Sequence, residues 1–304
     1  MKQIKMGGKL NVGNIGLGFM RLAALSPAEA EKLIRTALEA GITLMDHADI
    51  YGGGRSETLF AEALAATPSV REQMVLQSKC SIRRGWYDCS KEYILESVDG
   101  ILKRLQTDYL DVLLLHRPDA LMDPEEVAAA FDQLQQSGKV RNFGVSNMNP
   151  LQIELLSKSL NQPLIANQMQ MSITQCPMID AGFNVNINQP IGAMYDGGVL
   201  DYCRLKDITV QAWSPFQFGR FEGSFLGSER YPELNQLIDQ LAEKYNTTNS
   251  GIAIAWLLRH PAGIVPILGT TNAERVKEIC KISELQIDRL EWYELYRAAG
   301  KVLP

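Results

Sequence analysis

The run Asp46-His-Ala-Asp-Ile-Tyr-Gly-Gly-Gly54 follows directly on the apolar stretch Gly41-Ile-Thr-Leu-Met45. A core strand that ends in ionisable groups, not turn residues, delivers chemistry to one edge or mouth of its sheet. Other apolar runs end the same way. "VLQS" runs into Lys79, "YLDVLLL" into His116, and "VRNFGV" into Ser146-Asn147. "IANQMQM" carries Gln168, and "ITVQAW" closes on Trp213-Ser214.

The chemistry these groups suggest is coupled proton transfer. A tyrosine hydroxyl ordinarily titrates at a pKa of about 10. A lysine ammonium beside it stabilises the phenolate and makes it a useful acid. Asp46 can pair with Lys79 and keep it charged and oriented. His116 can donate a hydrogen bond to a carbonyl oxygen, holding it against Tyr51 and polarising it for an incoming hydride. Each residue alone has a plainer use: Asp46 as a turn cap, Tyr51 shielding a loop, Lys79 as a solvated strand end. Four successive strand exits favour the chemical use. A different chemistry makes Lys79 a Schiff-base nucleophile, as in an aldolase. That needs a neutral amine, whereas Asp46 would keep it charged. Of the three histidines, His47 reads as a packed strand-end residue and His260, before Pro261, as a helix end.

The elements that position these groups alternate along the 304 residues. Short apolar runs are strands and longer amphipathic runs are helices. Ser26 with Glu29 reads as a capping box opening a helix to Ala40. Ser56–Ala66, Ser90–Leu105, Pro124–Gln136, Pro150–Ser159, Gly198–Leu205, Pro232–Tyr245 and Gly251–Arg259 are the helices that follow, and one more starts at Asn272. Roughly eight strand–helix repeats of this kind match a (β/α)8 barrel. "KQIKMGGKLNV" reads as a hairpin outside the repeat, turned at Gly7-Gly8. No Pro/Ser-rich linker divides the chain, so a single domain over residues 1–304 is expected. An open doubly wound sheet is the alternative, but "GNIGLG" has the wrong spacing for a dinucleotide fingerprint.

Composition narrows the partners. A net charge of −5 argues against a general nucleic-acid binder. The five cysteines, at 80, 89, 176, 203 and 280, form no C-x-x-C pair. No metal site or disulfide framework is therefore expected, and the reading is cytoplasmic. No stretch is long and apolar enough to span a bilayer. Oligomeric state is left open.

Taken in order, "DHADIYGGG", Lys79 after "VLQS", "LLLHRPD", "GKVRNFGVSN", "NQMQMS", "AWSPF" and "ILGTTNAERVKE" resemble the aldo-keto reductase superfamily. Within it the first motif and "HRPDALMDPEEVA" are similar to bacterial oxidoreductases of the YdhF type. The resemblance runs nearly end to end. It implies a TIM barrel and NADPH-dependent reduction of aldehydes or ketones, with a tetrad of Asp46, Tyr51, Lys79 and His116. It further implies that Asp46, Ser146, Asn147 and Gln168 border the nicotinamide, that Trp213 stacks on the ring, and that Ser214 and Phe216 follow the pyrophosphate. Gly269, Thr270, Thr271 and Arg275 match the adenosine-phosphate site, where a helix start and hydroxyls suit a phosphate. The chain departs from the family at two positions. Gly269 stands where many relatives have lysine, and Ile279 where relatives often have an asparagine facing the adenine, which leaves that contact to Glu278. A non-enzymatic nucleotide-binding redox sensor on the same barrel is the alternative that the resemblance allows.

Phe19 and Met20, with Tyr51 and His116, are expected to line the substrate pocket, and Trp86, Tyr87 and Phe218 to add apolar walls. Cys176–Gly197 exceeds the usual β-to-α connection of about 2–6 residues. It shows no sustained helical period but many apolar groups. Leaving a strand's C-terminal end, it is expected to form a flap over the nicotinamide pocket.

Overall fold

The expected repeats are present in the computed structural model, which describes residues 1–185, 187 and 196–303. A hairpin of β1 (Gln3–Met6) and β2 (Leu10–Gly13) comes first. Next are β3 (Gly16–Gly18), α1 (Pro27–Glu39), β4 (Leu44–Asp46) and α2 (Arg55–Leu64). β5 (Val75–Cys80) passes through a small hairpin, β6 (Ile82–Arg83) and β7 (Trp86–Tyr87), into α3 (Lys91–Leu105). β8 (Val112–Leu115) leads to α4 (Pro124–Gln136), and β9 (Phe143–Ser146) to α5 (Pro150–Ser157). β10 (Leu164–Gln170) is followed by α6 (Pro177–Phe183) and α7 (Val199–Leu205). After β11 (Thr209–Trp213) come the hairpin β12 (Gln217–Phe218) and β13 (Gly223–Ser224), then α8 (Pro232–Lys244) and α9 (Asn249–Leu258). β14 (Val265–Leu268), α10 (Ala273–Cys280) and α11 (Arg289–Ala298) end the chain.

Strands β3, β4, β5, β8, β9, β10, β11 and β14 close in that order into a parallel barrel, with β14 pairing back onto β3. Strand alternation builds two cores from one sheet. In β8, Val112 and Leu114 face the barrel interior, whereas Leu113 and Leu115 face the helices. That is why "VLLL" is apolar on both faces. Met6 and Val12 of the first hairpin join the interior cluster, so the hairpin plugs the barrel's N-terminal end. Gly7 permits this closure: it lies at φ +58°, and a Cβ there would meet Ile165 at 2.4 Å.

Helix starts follow the expected chemistry. Ser26 and Glu29 form the capping box of α1, Asn149 and Gln152 that of α5, and Ser90, Asp123 and Asn272 cap α3, α4 and α10. Helix α11 is absent from the sequence reading although Asp288 and Glu291 box its start. It is held by paired indoles: Trp256 and Trp292 stack at 4.8 Å and each donates to the other's carbonyl.

The Cys176–Gly197 segment departs from expectation where it is described. Pro177–Phe183 is helical and docks on α11, with Phe183 edge-on to Tyr296 and Asp180 accepting from Tyr296 and Lys301. Residues 186 and 188–195 of the expected flap are outside the described residues. Among the described residues no helix is long and apolar enough to cross a membrane.

Candidate active site

The interior turns from apolar to polar toward the strands' C-terminal ends. Asp46, Gln77, Lys79, Gln168 and Gln211 all project inward there and are all buried. Lys79 donates to Asp46 (2.8 Å), to the His47 carbonyl (2.8 Å) and to the Tyr51 hydroxyl (3.2 Å). The Asp46 carboxylate also accepts from Gln77 (2.6 Å) and Gln168 (3.1 Å), and both amides bond Gln211. Of this glutamine layer, Gln77 and Gln211 were not anticipated from sequence. Their signal was strand parity, since Gln77 lies two residues before Lys79 and Gln211 two before Trp213.

Tyr51 reaches Lys79 through a tight turn, Tyr51–Gly54, whose glycines are left-handed. Gly52, Gly53 and Gly54 have φ of 58°, 63° and 89°, which only glycine adopts three times in succession. The three glycines fold the chain back so that the Tyr51 hydroxyl meets a side chain from the next strand. His116 stands beside it, its ring edge-on to Tyr51 at 6.0 Å.

Burial pulls against the Lys79 charge, but Asp46 and Tyr51 outweigh it and hold the ammonium above the usual lysine value. That removes the neutral amine a Schiff-base aldolase needs. Burial also raises Tyr51, against the opposing pull of Lys79, so the phenol is protonated at neutral pH. The expected lowering by Lys79 is present but smaller than the cost of burying a phenolate. Burial, with the Lys79 and Arg117 charges, pushes His116 well below its ordinary value and keeps it neutral. Its Nδ1 is buried without a partner among the described residues, which leaves Nε2 to meet a ligand.

Behind the tetrad, burial and the neighbouring Glu57 raise Asp49 to about 7. An acid whose folded pKa is raised loses stability as pH climbs from its unfolded value through the folded one. Asp49→Asn should thus raise Tm at pH 8 by about 2–4 °C for each kcal/mol relieved, and change it little at pH 4. Equal Tm values at both pH values would show that Asp49 does not titrate in this window.

The residues expected to border the nicotinamide meet around one edge of the mouth. Ser146 donates to the Gln168 backbone carbonyl (2.7 Å), Asn147 donates to Ser146 (2.7 Å), and Trp213 Nε1 donates to Asn147 (3.2 Å). The Gln168 side-chain nitrogen is committed to Asp46 and Gln211, so its side-chain oxygen Oε1 is the end open to a ligand amide. Trp213 carries Phe221 stacked at 5.7 Å. Ser214 has a positive φ of 53° and turns the chain toward Phe216 and the β12–β13 hairpin. Gly269, Thr270 and Thr271 precede α10, whose start is capped by Asn272, and no atom lies where a Gly269 Cβ would point. Arg275 is exposed one turn in. Glu278 is bonded by Lys281 (2.6 Å) near the end of α10.

One expectation is corrected. Phe19 is not a pocket wall: it is 1% exposed, stacked on His47 at 4.6 Å and edge-on to Phe60. Large aromatics are buried most effectively between barrel and helices, and His47, sandwiched there, stays neutral because burial lowers it to about 3. Met20, next to it, is exposed. Ile279, which stands where relatives often have asparagine, is wholly buried in the shell core, which accounts for an apolar residue at this position.

The chain is 37% identical to the oxidoreductase YdhF of Escherichia coli, over 93% of this chain and 92% of that protein. It is 35% identical to a 6-dehydroglucose reductase of Agrobacterium fabrum, over 98% of each. An aldo-keto reductase of Klebsiella pneumoniae, solved in complex with NADPH, superimposes with a TM-score of 0.79 over 100% of this chain and 96% of that one, at 23% identity. Residues 14–299 match the Aldo/keto reductase family, and the chain belongs to it.

Proposed function

We propose that this protein reduces aldehyde or ketone carbonyls to alcohols with NADPH, and that Tyr51 supplies the proton. The observation that carries the reading is the Asp46–Lys79–Tyr51 chain of hydrogen bonds at the barrel mouth, with neutral His116 beside it. The residues present fit the cofactor. The open Gln168 side-chain oxygen with Ser146 and Asn147 suits a carboxamide, and the hydroxyls and helix start at Gly269–Asn272 suit a phosphate. Bound there, NADPH supplies the hydride. Lys79, held charged by Asp46, stabilises the Tyr51 oxygen as its proton leaves. His116 orients the carbonyl oxygen toward that proton, and Trp213 offers a flat face for the ring. The names of the 6-dehydroglucose reductase relative and the NADPH-bound Klebsiella protein support both cofactor and reaction class.

A panel of aldehydes and ketones, followed at the NADPH absorbance band, tests this. Tight NADPH binding without turnover of any carbonyl would instead favour a nucleotide sensor. We assign 2′-phosphate recognition to Arg275, exposed one turn into α10. Arg275→Ala should reduce the preference for NADPH over NADH about ten- to a hundredfold, the value of a lost charge-assisted hydrogen bond. Titration of both cofactors reads the ratio, and an unchanged ratio would place 2′-phosphate recognition elsewhere.

A further inference from the structure

Arg117 follows His116 at the exit of β8 and makes no hydrogen bond within the proton-transfer chain, on which it acts only through its charge. Its backbone is pinned: the Arg117 N–H donates to the Ser81 hydroxyl (3.1 Å), and that hydroxyl is within reach of the Arg117 carbonyl (3.2 Å). Ser81 is fully buried and held at φ 103°, so this position is built with some strain. The guanidinium crosses the mouth to lie 5.7 Å from the Trp213 ring centroid.

The group is half-buried, yet among the described residues its side chain makes no ion pair and no hydrogen bond. The charges and hydroxyls that act on it are Tyr87, Arg220 and Tyr51, with no carboxylate among them. Residues 186 and 188–195 contain no aspartate or glutamate to supply one. Other partly buried arginines are satisfied: Arg71 closes on Asp111 at 2.9 Å and Arg104 on Glu57 at 2.8 Å. Half desolvated, with the Trp213 face as its contact, the cation gives up part of its hydration for no countercharge, and a second cation, Arg220, adds to that cost. Both are relieved by an anion that arrives with the substrate. A planar guanidinium fork matches a carboxylate in two parallel hydrogen bonds.

We propose that Arg117 recognises a carboxylate carried by the carbonyl substrate, so that the enzyme selects oxo-acids over neutral carbonyls. The proposal rests on the reductase reading above. The carboxylate takes no part in the redox step. The carbonyl carbon gains a hydride from NADPH, its oxygen gains the Tyr51 proton, and the acid group leaves unchanged.

The test compares 4-oxobutanoate with its methyl ester, in which two methylenes insulate the aldehyde from the altered group. The acid should be favoured about ten- to a hundredfold in kcat/KM, chiefly through KM, as one charge-assisted contact implies. Arg117→Gln should bring the acid-to-ester ratio close to unity, and Arg117→Lys should keep part of it because the charge remains. Calorimetry of succinate, which cannot be reduced, should show binding to the protein–NADPH complex and its loss in Arg117→Gln. Reduction of both aldehydes at a ratio near one, without succinate binding, overturns the proposal and leaves the reductase reading intact. Succinate binding that depends on Arg117, without turnover of either aldehyde, upholds the anion site and overturns the reductase reading. If Arg117→Gln lowers NADPH affinity and leaves the wild-type ratio, the guanidinium serves the cofactor and the proposal fails.

Discussion

Tyr51→Phe is expected to lower kcat by about 10²–10⁴-fold, the usual contribution of a positioned general acid. The reason lies in what the substitution leaves in place. Lys79 keeps its bonds to Asp46 and to the His47 carbonyl, so the ammonium stays where it is. The glycine turn and the His116 ring are likewise untouched. NADPH affinity and Tm should therefore stay close to wild type while turnover collapses. The pH profile adds a second check. Burial raises Tyr51 more than Lys79 lowers it, so the proton is available throughout the neutral range and the reduction rate should not fall from tyrosine ionisation until the solution is alkaline. If Tyr51→Phe reduces aldehydes at the wild-type rate, tyrosine has no part in the mechanism.

What could be read from the chain depended on where a residue stood in its strand. Asp46, Lys79 and His116 sit at the ends of apolar runs, where a charged or polar side chain stands out against its neighbours. Gln77 and Gln211 lie inside such runs. A glutamine there reads as a break in an apolar pattern unless the strand's facing is already known. Phe19 failed for a related reason. It follows β3 directly, and the three residues of that strand do not fix which way the next side chain turns. The barrel returned the aromatic to the shell beside His47 and Phe60. Arg117 was visible in "LLLHRPD", but its meaning depends on the lack of a carboxylate around it. That is a fact of packing, not of order in the chain. Helix α6 was hidden because seven residues, with Pro177 at the start and Gly182 near the end, are too few to show a period.

The second large effect concerns stability. Lys79 is fully buried and Asp46 is 2% exposed, so each is the other's main compensation. Asp46→Leu leaves an ammonium in the barrel with only the His47 carbonyl and the Tyr51 hydroxyl. Breaking one side of a buried pair costs about 3–5 kcal/mol. The loss is not compounded by stranded amides, because Gln77 and Gln168 each keep a bond to Gln211. The double variant Asp46→Leu/Lys79→Met removes both charges and fills the space with apolar atoms. It should recover most of the loss, since burying an ion pair seldom gains more than packing the same volume. Urea unfolding of the wild type, both single variants and the double variant measures the coupling. A cost below about 1 kcal/mol for Asp46→Leu would mean that Lys79 is not charged in the folded barrel. The neutral-amine chemistry of an aldolase would then reopen. The expected outcome is a double variant near wild-type stability that reduces nothing, which would show that the pair is kept in the core for the Tyr51 proton and not for the fold.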